Sequence, residues 1–157
     1  MRYRSPSKAA LIATTIVALF ASLILSVSKP VEVRVDGQPV ISDVPPVTTP
    51  KTIYLPLRPV GDALGAETHY EHKSGEVVVT RGDQTLHLKV GSTHARINGM
   101  PVTLRHAPFR VRGRVMVSLH AVQQVFGVRV KFDRKTARVD VSTPGVSDAA
   151  ASPFDTQ

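Results

Sequence analysis

Residues 56–70, PLRPVGDALGAETHY, and residues 118–132, SLHAVQQVFGVRVKF, align without a gap at an offset of sixty-two positions. In the first stretch Leu57, Val60, Ala63 and Leu64 fall at i, i+3, i+6 and i+7, and Leu119, Val122, Val125 and Phe126 do the same in the second. That spacing predicts one apolar helical face in each. Gly65 and Gly127 follow where a chain leaving a helix needs a left-handed residue. Pro56 and Pro59 are tolerable in a first turn, whose N–H groups have no partner within the helix, and Ser118 suits an N-cap. Beyond each glycine, Ala66, Thr68 and Tyr70, and likewise Val128, Val130 and Phe132, alternate with polar residues. A strand with one buried face therefore follows each helix.

The rest of the chain repeats at the same offset. Val31, Val33 and Val35 alternate with Glu32 and Arg34, and Asp36-Gly37 turns the chain into residues 38–41. Asn98-Gly99 occupies the equivalent place in the second stretch, and an Asp-Gly or Asn-Gly pair between alternating runs predicts a two-residue hairpin. Short strands are expected at residues 52–55 and 114–117 ahead of the helices. Further strands are expected at Val77 to Thr80, Leu86 to Val90 and around Val139 and Val141, the second unit ending sooner than the first. The sum is about ten short strands and two short helices. This is an α+β fold: mostly antiparallel β-sheet wrapped on two short helices, built from a duplicated hairpin-strand-helix-strand unit. One domain spans residues 30–141, in copies over 31–92 and 93–141, and residues 142–157 read as a disordered tail.

Ahead of this domain, Arg2, Arg4 and Lys8 precede an uncharged run over residues 9–28. Such a run is long enough to cross a bilayer as one hydrophobic helix, with the basic flank inside. Residues 1–29 are therefore expected to be a signal peptide or a retained transmembrane signal anchor. Ser26-Val27-Ser28 offers a cleavage site of small residues, and both outcomes stay open. The domain is expected to be extracytoplasmic, either anchored by residues 9–28 or secreted. Cysteine is absent, which excludes disulfides and thiol chemistry.

Several motifs in fixed order resemble a known family: Asp36-Gly37, Asp43-Val44-Pro45-Pro46, Leu55-Pro56-Leu57-Arg58, Leu64-Gly65-Ala66 and Tyr70-Glu71. Together they are similar to the copper amine oxidase N-terminal (stalk) domain. The second copy keeps Asn98-Gly99 but has Ala107-Pro108, Ser118-Leu119-His120 and Phe126-Gly127-Val128 in place of the other motifs. The resemblance implies a sheet wrapped on a helix, used as an accessory module of exported proteins. It implies no catalytic residue, since copper and quinone belong to a separate catalytic domain of those oxidases.

The residues themselves offer little catalysis. His69 and Glu71 share one side of a strand while His72 lies in a turn; His87 and His94 flank a turn and are able to meet across strands. His106 and His120 are far apart in sequence, and no metal or cofactor site is assigned. Ser118 lacks the glycines of a nucleophile elbow, no glycine-rich phosphate loop is present, and Arg81-Gly82-Asp83 reads as a turn.

Charge is the remaining functional signal. Residues 30–92 hold six Lys and Arg against eight Asp and Glu, a net of −2, whereas residues 93–141 hold ten against two, a net of +8. Arg105, Arg110, Arg112 and Arg114 crowd one loop and strand, and Arg129, Lys131, Arg134, Lys135 and Arg138 crowd the last hairpin. Such a patch attracts polyanions. With few aromatic residues a stacking platform for nucleic acid is not expected, nor is a small-molecule substrate. The expectation is a non-catalytic, exported envelope or interaction module whose partner is a cell-wall polyanion, an anionic membrane surface or an envelope protein. The alternatives are an accessory subunit of an extracytoplasmic enzyme and a metal-binding protein.

Overall fold

Left-handed residue pairs fold the chain back on itself at three places. Asp36-Gly37, Asn98-Gly99 and Arg112-Gly113 all have positive φ at both residues, the type I′ geometry whose twist matches that of the flanking strands. The computed structural model describes residues 30–145. The segment expected to direct export, residues 1–29, lies outside them, as does the tail beyond Gly145. No helix among the described residues is long and apolar enough to cross a membrane.

In chain order, β1 (Glu32–Val35) and β2 (Gln38–Pro39) form the first hairpin, and β3 (Val47–Thr48) and β4 (Ile53–Pro56) lead into α1 (Leu57–Ala63). Then come β5 (Glu67–Glu71), β6 (Glu76–Arg81) and β7 (Gln84–Lys89). A second hairpin, β8 (His94–Ile97) and β9 (Met100–Thr103), precedes β10 (Phe109–Val111) and β11 (Arg114–Ser118). Last are α2 (Leu119–Phe126), β12 (Arg129–Asp133) and β13 (Arg138–Ser142). The architecture is α+β, with mostly antiparallel sheet and two short helices. The described residues form thirteen strands rather than about ten; the excess is the pairings β3 and β10, too short to show a period. β2 ends at Pro39, after which the Val40 N–H still donates to the Val33 carbonyl at 2.8 Å, and Ile41 is exposed.

Three sheets result, ordered β12-β13-β1-β2, β10-β11-β4-β3 and β5-β6-β7-β8-β9. Each takes strands from both stretches of the chain, and each helix packs on strands of both: α1 on β4, β5 and β11, α2 on β11, β12 and β4. Among the described residues no counterpart of β7 pairs with β13; β1 lies beside it, running parallel from Glu32 opposite Arg138 to Val35 opposite Val141. Asp36 then accepts from the Thr143 backbone N–H at 2.7 Å and the Thr143 hydroxyl at 2.9 Å. The hydrogen bonding of the domain therefore runs past Val141 into residues read from sequence as tail. Elsewhere β4 crosses to β11, with Leu55 opposite Val117. One apolar core joins Leu57 and Val60 of α1, and Leu64 just after it, to Ala121, Val122, Val125 and Phe126 of α2, with inward valines of β1, β6 and β13.

The helices do not present identical faces. Ala63, expected on the buried face of α1, is exposed, and Gly61 is buried in its stead. At 3.6 residues per turn Ala63 lies roughly 120° around the helix from Leu57, whereas Gly61 lies roughly 40° away. In α2 the buried arc has turned, so Val125 is buried and Leu119 only partly so. Ser118 caps α2 as its chemistry suggests, its hydroxyl accepting from the Ala121 N–H at 3.2 Å. Gly65 and Gly127 are left-handed. Arg81 of the Arg-Gly-Asp turn donates to the Phe126 carbonyl at 3.1 Å, a contact that closes the end of α2.

Arg112, at φ 48°, is an L-residue in left-handed backbone, a conformation that costs an ordinary side chain about 1–2 kcal/mol and asparagine less. Arg112→Asn is therefore expected to raise stability by about 0.5–1 kcal/mol, read as a higher denaturation midpoint with unchanged slope. A lower midpoint would show that the arginine makes a contact worth more than the strain.

Candidate anionic-surface site

The nine basic residues singled out by sequence do not form one patch. Arg110, Arg112 and Arg114 lie on the β10–β11 hairpin, with Arg105 in the loop before it. Arg129, Lys131, Arg134, Lys135 and Arg138 lie on the β12–β13 hairpin, which belongs to a different sheet.

On the second hairpin two of the five cations stand beside carboxylates. Strand periodicity places Lys131, Asp133, Arg138 and Asp140 on its outer face. The register sets Lys131 opposite Asp140 and Asp133 opposite Arg138, and β1 then adds Arg34 beside Asp140 and Glu32 beside Arg138. Signs alternate across and along the strands, an arrangement that stabilises cross-strand neighbours modestly. Arg34 bonds Glu32 at 2.8 Å, and Arg138 Nε lies 3.3 Å from Asp140 Oδ2, near enough for charge attraction but outside hydrogen-bond geometry. Only Arg129 and the turn residues Arg134 and Lys135 stand outside this pattern. At the turn, the backbone N–H of Lys135, foremost, holds the Asp133 carboxyl below its usual range.

The β10–β11 hairpin differs. Among the described residues neither Arg110 nor Arg112 has a carboxylate within 4.0 Å, and the same is true of Arg105. Arg110 sits with its guanidinium carbon 5.0 Å from the centre of the Tyr70 ring, a cation–π contact. Arg114 is paired: its Nε and Nη2 hold both oxygens of Asp43 at 2.8–3.1 Å. That bidentate bond lowers the Asp43 carboxyl below its usual range and raises the Arg114 guanidinium above its own. The pair's stabilisation is present above the ordinary carboxylate range and is lost as pH falls through the lowered value. Both groups are exposed, so it is small.

The histidines are dispersed. His87 faces Arg96 across β7 and β8 rather than meeting His94, which faces Thr103. His69 faces Val78, while His72 lies edge-on to Tyr70 with ring centres 4.7 Å apart. No three His, Asp or Glu side chains among the described residues come together as a metal site. The described residues thus do not fit the copper that the oxidase name brings to mind.

Sequence reasoning found the arginines but missed their surroundings. Arg58 at the start of α1 and the Tyr70-His72 pair lie against the same hairpin, and together with Arg114 they line one cleft. A family model described as copper amine oxidase N-terminal domain matches residues 34–141. No curated protein matches the chain.

Proposed function

The chain belongs to the copper amine oxidase N-terminal domain family, and from that premise we propose that it is an exported, non-catalytic envelope module that holds an anionic polymer or lipid surface. In this reading residues 1–29 carry the domain out of the cytoplasm and leave it anchored or released. In the same reading residues 31–92 and 93–141 are tandem copies at an offset of sixty-two positions, the second diverged toward a basic contact surface. What supports the reading is Arg110 and Arg112 on one hairpin and Arg105 in the loop before it, none with a carboxylate partner among the described residues. Their field extends toward solvent, where it favours a polyanion.

The test is retention on envelope fragments from the source cell at low and high salt. Raising ionic strength from 0.1 to 1 M shortens the screening length from about 10 to about 3 Å, so charge-driven retention should fall steeply. Changing Arg110, Arg112 and Arg114 together to glutamine is expected to weaken low-salt retention at least several-fold and flatten the salt response. Equal retention by the variant would remove this hairpin as the contact. Co-purification of a catalytic protein, with no salt-sensitive retention, would favour an accessory subunit instead.

A further inference from the structure

The cleft between α1, the end of β5 and the β10–β11 hairpin has a volume of about 180 Å³. Its polar walls are Arg58, Thr68, Tyr70, His72 and Arg114, and no carboxylate lines it. A neighbouring hollow shares Arg58 and Arg114 but is lined by Asp43 and Asp62, so the two arginines stand between an acidic side and a carboxylate-free one. We infer that the carboxylate-free cleft is a binding site for a single oxyanion group, phosphate or carboxylate, carried by the partner polymer.

Three features support this. The guanidiniums are held before any ligand arrives: Arg58 Nη2 donates to the Thr68 carbonyl at 3.2 Å, and Arg114 is clamped on Asp43. A guanidinium carries more N–H donors than these contacts use, and its planar fork matches carboxylate and phosphate oxygens. Holding the forks in advance reduces the ordering cost of binding. Tyr70 lies edge-on to His72 and against the Arg110 guanidinium, with its hydroxyl-bearing ring forming one wall of the cleft. The volume lies below the roughly 300–1,000 Å³ of sites that enclose a drug-sized molecule, so one charged group fits and a cofactor does not. Arg58 and Arg114 are 56 positions apart in sequence, and folding brings them to one cleft.

This inference rests on the polyanion-binding reading above, and its test is separable from it. Inorganic phosphate and, separately, acetate are titrated into the full chain while side-chain resonances are followed by NMR. The expected result is saturable shifts at Tyr70, His72 and the Arg58 guanidinium. Phosphate acting more strongly than acetate would indicate a phosphate-bearing polymer, and the reverse a carboxylate-bearing one. Arg58→Gln should weaken the affinity about tenfold, and Arg58→Lys, which keeps charge but loses the fork, should fall between. Arg134→Gln at the β12–β13 turn, in another sheet and outside the cleft lining, should change nothing. A native melting temperature for Arg58→Gln separates lost binding from lost fold. Shifts confined to the Arg134-Lys135 turn, or an unchanged affinity in a folded Arg58→Gln variant, would overturn the site. Phosphate bound in the cleft by a protein that shows no salt-sensitive envelope retention would sink the envelope reading and leave the site standing.

Discussion

A chain beginning at Val40, without β1 and β2, is expected to lose its cooperative thermal transition, whereas one beginning at Pro30 keeps it. β1 is a central strand: β13 pairs along one edge and β2 along the other. Its inward residues Val33 and Val35 are buried in the common core, beside Val139 and Val141 of β13. Burying a valine contributes about 1.5–3 kcal/mol, so losing two removes about 3–6 kcal/mol from a total of about 5–15. The deletion also uncovers Val139 and Val141 and leaves the β13 edge unpaired. The contact of Asp36 with Thr143 goes with it. Far-ultraviolet circular dichroism against temperature reads the outcome. An unchanged transition in the shorter chain would mean that the parallel pairing of the chain ends contributes little.

The second large effect is expected at Leu55. It lies at 0 % exposure in β4, opposite Val117 of β11, where strands from the two stretches meet. Leu55→Ala should cost about 2–5 kcal/mol, because a cavity opens between strands held from both sides. For a domain of this size that corresponds to a fall in Tm on the order of 10–20 °C. Ile41, similar in size but 91 % exposed, is the matched comparison; Ile41→Ala should stay within about 0.5 kcal/mol. Denaturant titration of both variants measures the contrast. A Leu55→Ala loss no larger than that of Ile41→Ala would show that the joint between the stretches is not where the core is packed.

The candidate site was legible in part. Composition located the arginines, and strand periodicity placed Arg129 and Lys131 on an exposed face. Their neighbours were not legible: Glu32 and Arg34 stand beside Arg138 and Asp140 only because β1 inserts next to β13. The same insertion extends the alternation of Lys131, Asp133, Arg138 and Asp140 onto a third strand, while Arg129, Arg134 and Lys135 stay outside it. Arg112-Gly113 escaped recognition as a hairpin turn because arginine is a poor left-handed residue, although Gly113 was a usable signal.

By itself the sequence determined what is local. Asp-Gly and Asn-Gly set two turns because few other pairs accept positive φ. Apolar spacing marked α1 and α2, Gly65 and Gly127 ended them, and Ser118 capped one. These follow from sterics and hydrogen bonding within a few residues, which any chain with those letters shares. Only the tertiary structure decided which strands became neighbours, which arc of each helix turned inward, and which charges were paired. Strand pairing is satisfied by any edge with matching apolar faces, so the choice fell to the edge of β13 that β12 leaves open, where β1 covers the buried valines that would otherwise meet water.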